Sequence, residues 1–314
     1  MSVSEEKAVR EPKTTTGGWA RMAILAAITV IIFVLLFRSV SFVAVWGVLR
    51  TARPIPLAIG ILLTGTFPIF SALRWQAVMG GLGRRIPTGE CASMIMACFT
   101  LSTFTPSKGG DLGRAWFLHG RVPVTTVLGS VLAERLFDVL TLLGFCLVGS
   151  LVYHWRTLAL ISGALLAGGI IGPALLLTVR IPLPRKIGPR VERMLEALRM
   201  LLRSPGLFSL VLLYTLLNWL ASLVQAWLFY RSLGAVAMPF GRVCAALPVA
   251  VFIGLLPITI AGMGTRDAAL IRLLTAHAAA PISLGVGMLY SLCGYWLPGI
   301  VGIPFLRWAL RRRG

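Results

Sequence analysis

Apolar runs of about 20 residues, the length a helix needs to cross a bilayer, recur along the whole chain. They fall at 19–37, 56–73, 127–152, 158–179, 207–230 and 282–305. Hydrophobic residues make up 57% of the 314 positions and charged residues 13%. The pattern predicts an all-α polytopic membrane protein with no room for a sizeable soluble domain. The run at 19–37 is followed by Arg38 and Arg50, with no small-residue cleavage site, and is read as an uncleaved first span.

Thirty Lys and Arg oppose ten Asp and Glu, a net charge of +20. In a soluble chain that excess would suggest nucleic acid. Here the basic residues lie between apolar spans, where they set orientation and meet anionic headgroups, so no nucleic-acid partner is expected. The five cysteines form no CxxC pair and read as free core thiols. His119, His154 and His277 are scattered. No metal cluster or nucleophile–base pair is legible, so the reading assigns no catalytic residue, metal or cofactor.

Two apolar segments, 88–121 and 242–277, are interrupted by Pro and Gly. The richest basic loop, 180–203, falls outside if each of these makes a full crossing. It falls inside, with the basic N-terminus and tail, if each enters and leaves on one side. The expected topology is therefore about six full spans plus two re-entrant hairpins. Residues 1–18 form a disordered cytoplasmic N-terminus, 19–306 the membrane domain and 307–314 a basic cytoplasmic tail. Repeat A, about 56–152, and repeat B, about 207–305, become inverted repeats, and paired broken segments point to a midplane transport site. The stretch RVERMLEALRMLLR within the loop is amphipathic and basic, and is expected on the anionic leaflet.

The breaks read Pro106-Ser-Lys-Gly-Gly-Asp-Leu-Gly-Arg114 and Pro257-Ile-Thr-Ile-Ala-Gly-Met-Gly-Thr-Arg-Asp267. Unwound backbone at membrane depth is tolerated only beside protein or a wet cavity. A half-helix starting after Gly109 and Gly110, or after Gly262 and Gly264, turns its positive end to that cavity. Lys108, Arg114 and Arg266 add full charge, so the expected ligand is an anionic lipid headgroup. Asp111 and Asp267 would hold the arginines or carry protons. Glu134, Arg135 and Asp138 are the only charges in the run 127–152. An ionisable cluster at that depth is a functional-site hypothesis, here a charge relay or gate, with a structural salt bridge as the alternative. Glu134 and Asp138 share a helix face beside one arginine, so two negative charges compete for one partner.

Arg74-Trp75 after the second span, the PSKGGDLGR break, the Glu134-Arg135…Asp138 cluster and the LPITIAGMGTRD break together resemble the lysylphosphatidylglycerol synthase transmembrane-domain, or flippase-like, family. The resemblance covers most of the chain. The second break ends in Arg266-Asp267 where the family more often carries Arg-Glu. The resemblance implies a flippase-like transporter in the bacterial inner membrane, acting on an anionic phospholipid, a polyprenyl-phosphate-linked lipid or a hopanoid-type lipid. The cytosolic aminoacyltransferase domain of bifunctional members is not expected here, so aminoacyl transfer is not carried over. The alternatives are an embedded lipid-modifying transferase, or the membrane subunit of one, and a scaffold for cytosolic lipid-modifying enzymes.

Overall fold

A computed structural model of the chain describes residues 27, 28, 30–32, 34–36, 38, 40–104, 106–178, 188–255, 259 and 262–311, without the side chains of 104, 106–108, 176–178, 189 and 190. The expected polar N-terminus, most of the first span, the start of the basic loop (180–187) and the end of the tail (312–314) lie outside these residues. Among the described residues there is no strand. The chain is an all-α polytopic membrane protein.

Five helical stretches are long and apolar enough to cross a membrane: Pro54–Gly81, Val124–Val152, Arg156–Leu175, Pro205–Ser232 and Ala280–Arg311. They coincide with five of the six runs read from the sequence. A short helix α1 (Phe42–Arg50) leads into α2 (Pro54–Leu63) and α3 (Thr66–Gly81). α4 (Thr88–Phe104), a 3-10 helix at Pro106–Leu112 and α5 (Gly113–Phe117) make the first broken segment. α6 (Val124–Val152), α7 (Arg156–Thr178), α8 (Gly188–Arg203) and α9 (Pro205–Ser232) follow. α10 (Phe240–Leu255) and α11 (Thr265–Leu274) are the arms of the second broken segment. α12 (Ala280–Ser291), a π-helix at Leu292–Trp296, α13 (Leu297–Val301) and α14 (Ile303–Arg311) complete the last span.

Both broken segments fold back on themselves. In the first, a Cβ on Gly110 would overlap the backbone of Ser102 and the carbonyl of Cys98, so only glycine lets the returning arm press against α4. Ala115 and Leu118 then pack with Cys91, Met94 and Ile95. In the second, Gly262 (φ 70°) adopts a left-handed backbone that L side chains resist, and a Cβ there would lie 2.6 Å from Gly254 Cα. Leu270 and Leu274 return along Val243, Ala246 and Ala250. The first break is a 3-10 helix, not the unwound backbone expected of its Pro-Gly-Gly sequence.

The hairpins then dock crosswise. α10 packs on α6, the span that follows the first hairpin, with Gly149 against Ala245. α4 packs on α13 and α14 in the last span, where Thr100 Oγ1 donates to Gly299 O (2.8 Å) and Thr103 Oγ1 to Tyr295 O (3.2 Å). α7 keeps its apolar face outward: only 6% of its most apolar stretch is buried.

Ala197 and Leu201 are buried in a cluster with Val78, Phe137 and Val211, and α8 packs on α3, α6 and α9. Most of its apolar stripe meets protein, in the groove left between these three helices, while Leu202 stays exposed. All five cysteines are free thiols, four of them buried.

Candidate functional site

Crosswise docking leaves an open cavity between the hairpins, with about 1050 Å³ of empty space that includes open solvent at its mouth. The first hairpin lines it with Ser102, Asp111 and Arg114, the second with Val251, Gly254 and Arg266. The spans contribute Arg74, Arg135, Asp138, Trp219 and Tyr290, among others.

Its charged wall is a continuous network. Arg74 donates from Nε to Glu134 Oε1 (3.1 Å), and from Nη1 to Asp138 Oδ1 (2.7 Å) and Thr215 Oγ1 (3.2 Å). Arg114 donates to the other oxygen of Glu134 and to Asp111 Oδ1 (3.0 Å). Arg135 spans Asp111 Oδ2 (2.6 Å) and Asp138 Oδ2 (3.1 Å). Trp219 Nε1 donates to Asp138 Oδ1 (3.0 Å). Arg74, Arg114, Glu134 and Asp138 are each less than a tenth exposed, whereas the Arg135 side chain is 38% exposed. Arg135 is the exposed end of an otherwise buried network.

Arg266 mirrors Arg114 across the cavity. Each rises from the returning arm of its hairpin, is 2% exposed and lies over an aromatic ring, Trp75 at 5.0 Å and Tyr290 at 4.8 Å. Arg266 donates to Asp267 Oδ1 (3.1 Å), Gly287 O (3.0 Å) and Ser291 Oγ (2.5 Å). Asp267 also accepts from Gly264 N–H (3.0 Å), so its carboxylate occupies the helix N-terminus that the sequence reading left open for a ligand.

Of the predicted site residues, the structure brings Asp111, Arg114, Arg135, Asp138 and Arg266 to the cavity wall, with Glu134 and Asp267 directly behind it. Gly110 and Gly262 serve close packing, Gly109 lies in the 3-10 arm, and the Lys108 side chain is outside the described residues. The expected shortage of positive partners does not occur: Arg74 and Arg114 both reach Glu134. Among the described residues the network is balanced, with Arg74, Arg114, Arg135 and Arg266 against Asp111, Glu134, Asp138 and Asp267.

One comparison with known proteins bears on the all-α membrane fold. A model of the lysylphosphatidylglycerol synthase transmembrane region matches residues 20–302. The chain belongs to that family. No curated protein matches it. Membership ties the multi-pass fold to membrane lipids, and the residues that carried the resemblance now have places. Trp75 lies beneath Arg114 and is itself fixed by donation to Ser130 Oγ (3.1 Å), while Arg74 shares Glu134 with Arg114. The sequence reading did not assign Arg74 or Trp219 to the site. Arg74 enters that reading only as part of the Arg74-Trp75 pair that carries the family resemblance, just after a span and with no nearby carboxylate to pair it.

Proposed function

We infer that the chain is a flippase-like transporter that moves the phosphate-bearing headgroup of an anionic or polyprenyl-linked lipid through this cavity. The observation carrying the reading is that Arg114 and Arg266, one from each hairpin, reach a single cavity while both remain buried. Charge at that depth is costly unless it is paired or functional. Among the described residues the network's charges pair off, so in this reading a headgroup binds by exchange. Its phosphate takes Arg135 from Asp111 and Asp138, which keep Arg114 and Arg74 as partners. Glu134, buried between Arg74 and Arg114, holds both guanidinium groups while Arg135 moves.

In this reading the hairpins are re-entrant and the two halves are inverted repeats that rock about the cavity. The loop at 180–203 and both termini are cytoplasmic in the inner membrane, in keeping with the positive-inside rule. Mass spectrometry of lipids retained on the purified protein tests the headgroup site. Wild type should retain a phosphate-bearing lipid, and Arg135→Gln about tenfold less of it, the cost of one charge-assisted contact. Equal retention by both proteins sinks the reading.

A further inference from the structure

At the end of the bundle away from α8, the segments 40–54, 153–157, 231–242 and 272–280 contain no Asp or Glu. They carry Arg50, Arg53, Arg156, Arg231, Arg242 and Arg272. Packing draws these segments together, since Ala52, Trp155, Trp227, Met238 and Ala278 share one apolar cluster and Arg53 N–H donates to Ser232 O (2.8 Å). Three of the arginines are stacked on rings: Arg50 on Trp46, Arg231 on Trp227, and Arg242 on both Tyr153 and Trp155.

The Arg242 arrangement is built. Its guanidinium carbon lies 4.1 Å from the Tyr153 ring centre and 5.3 Å from that of Trp155. The two rings, 6.5 Å apart, are tilted at 44° and embrace it. His154 between them has φ 56°, a left-handed conformation that a non-glycine residue adopts at a cost, and it brings the rings on either side of it to one guanidinium. Gly241 leaves room for the Tyr153 hydroxyl, which a Cβ there would meet at 2.9 Å. Arg242 Nε is buried without a hydrogen-bond partner. Stacking fixes the plane of a guanidinium and leaves its edge donors for a planar, bidentate acceptor.

We propose that Arg242, held in the corner formed by the Tyr153 and Trp155 rings, is the centre of a binding site for a phosphate group, separate from the central cavity. Among the described residues no carboxylate pairs with Arg242, and the acid-free segments around it raise the local concentration of anions. A lipid headgroup diester or a soluble phosphate carries the required chemistry, and the test separates the two.

The full-length protein in neutral detergent micelles is titrated with dioctanoyl-phosphatidylglycerol and, separately, with inorganic phosphate, reading tryptophan fluorescence and melting temperature. Arg242→Gln should weaken binding about tenfold, the loss of a charge-assisted pair. Arg272→Gln removes equal charge from the same end without touching the stack, and should change binding by less than about twofold. Arg242→Lys should fail to restore wild-type binding, because an ammonium lacks the planar fork. Binding of inorganic phosphate, and its competition with the lipid, assigns the site to phosphate itself; binding of the lipid alone assigns it to a headgroup. If Arg242→Gln does not fold, Trp155→Leu keeps the charge but removes one ring, and should still weaken binding. Neither ligand binding, Arg242→Gln matching wild type, or Arg272→Gln weakening binding equally would overturn the proposal. The last outcome would leave only a diffuse basic surface.

Discussion

Arg74 holds the site together at the scale of single residues. It is 2% exposed and donates to Glu134 and Asp138, both buried. Removing one partner of such a network strands the others without water, whereas removing a pair can be nearly neutral. Arg74→Met should therefore cost about 3–5 kcal/mol of stability. Adding Asp138→Leu to it should recover part of that loss. Thermal unfolding in detergent reads both, and a double variant less stable than the single one would contradict the pairing. Arg114 follows the same rule, so its substitution disturbs folding as well as any ligand. Arg135, exposed at one edge, is the residue whose loss separates function from stability.

Among the elements, the two hairpins depend on glycine where the arms touch. Gly262→Val imposes a β-branched side chain on a left-handed backbone and drives it into Gly254. The expected outcome is a large loss of monodisperse protein in size-exclusion chromatography. Gly80→Ala, where a Cβ meets nothing within 4 Å near the C-terminal end of α3, should leave the yield unchanged. The spans were legible because length and apolarity are local properties, and five of the six long runs each became one helical stretch among the described residues. The hairpins were legible as Pro- and Gly-broken segments, yet the 3-10 character of the first was not. Membership of the charged network was half legible: Glu134, Arg135 and Asp138 stand in one run, but Arg74 arrives from 60 residues upstream of Glu134 and Trp219 from 81 beyond Asp138. Pairing between spans leaves no periodicity, so single-span counting found one arginine where the fold supplies three. The amphipathic pattern of α8 was read correctly, but what covers its apolar stripe is decided by neighbours that the pattern does not name.

For the molecule as a whole, the crosswise docking couples the halves. α4 leans on the last span and α10 on α6, so movement of either hairpin changes the wall of the same cavity. The charge distribution sets sidedness. In a background with the five native cysteines replaced, cysteines introduced at Arg203 and His154 should react with an impermeant thiol reagent from opposite sides of the membrane, Arg203 from the cytoplasm. Both residues are exposed, at the end of α8 and just beyond α6. Labelling of both from one side would break the proposed topology. The central claim is that the cavity conducts a lipid headgroup and that Arg135 receives it. Its most direct test is translocation of headgroup-labelled fluorescent phosphatidylglycerol in proteoliposomes, read by an impermeant quencher. Wild type should bring inner-leaflet lipid within reach of the quencher, and Arg135→Gln, folded and reconstituted to the same level, should not. Movement by the variant equal to wild type, or none by either protein, would contradict the account.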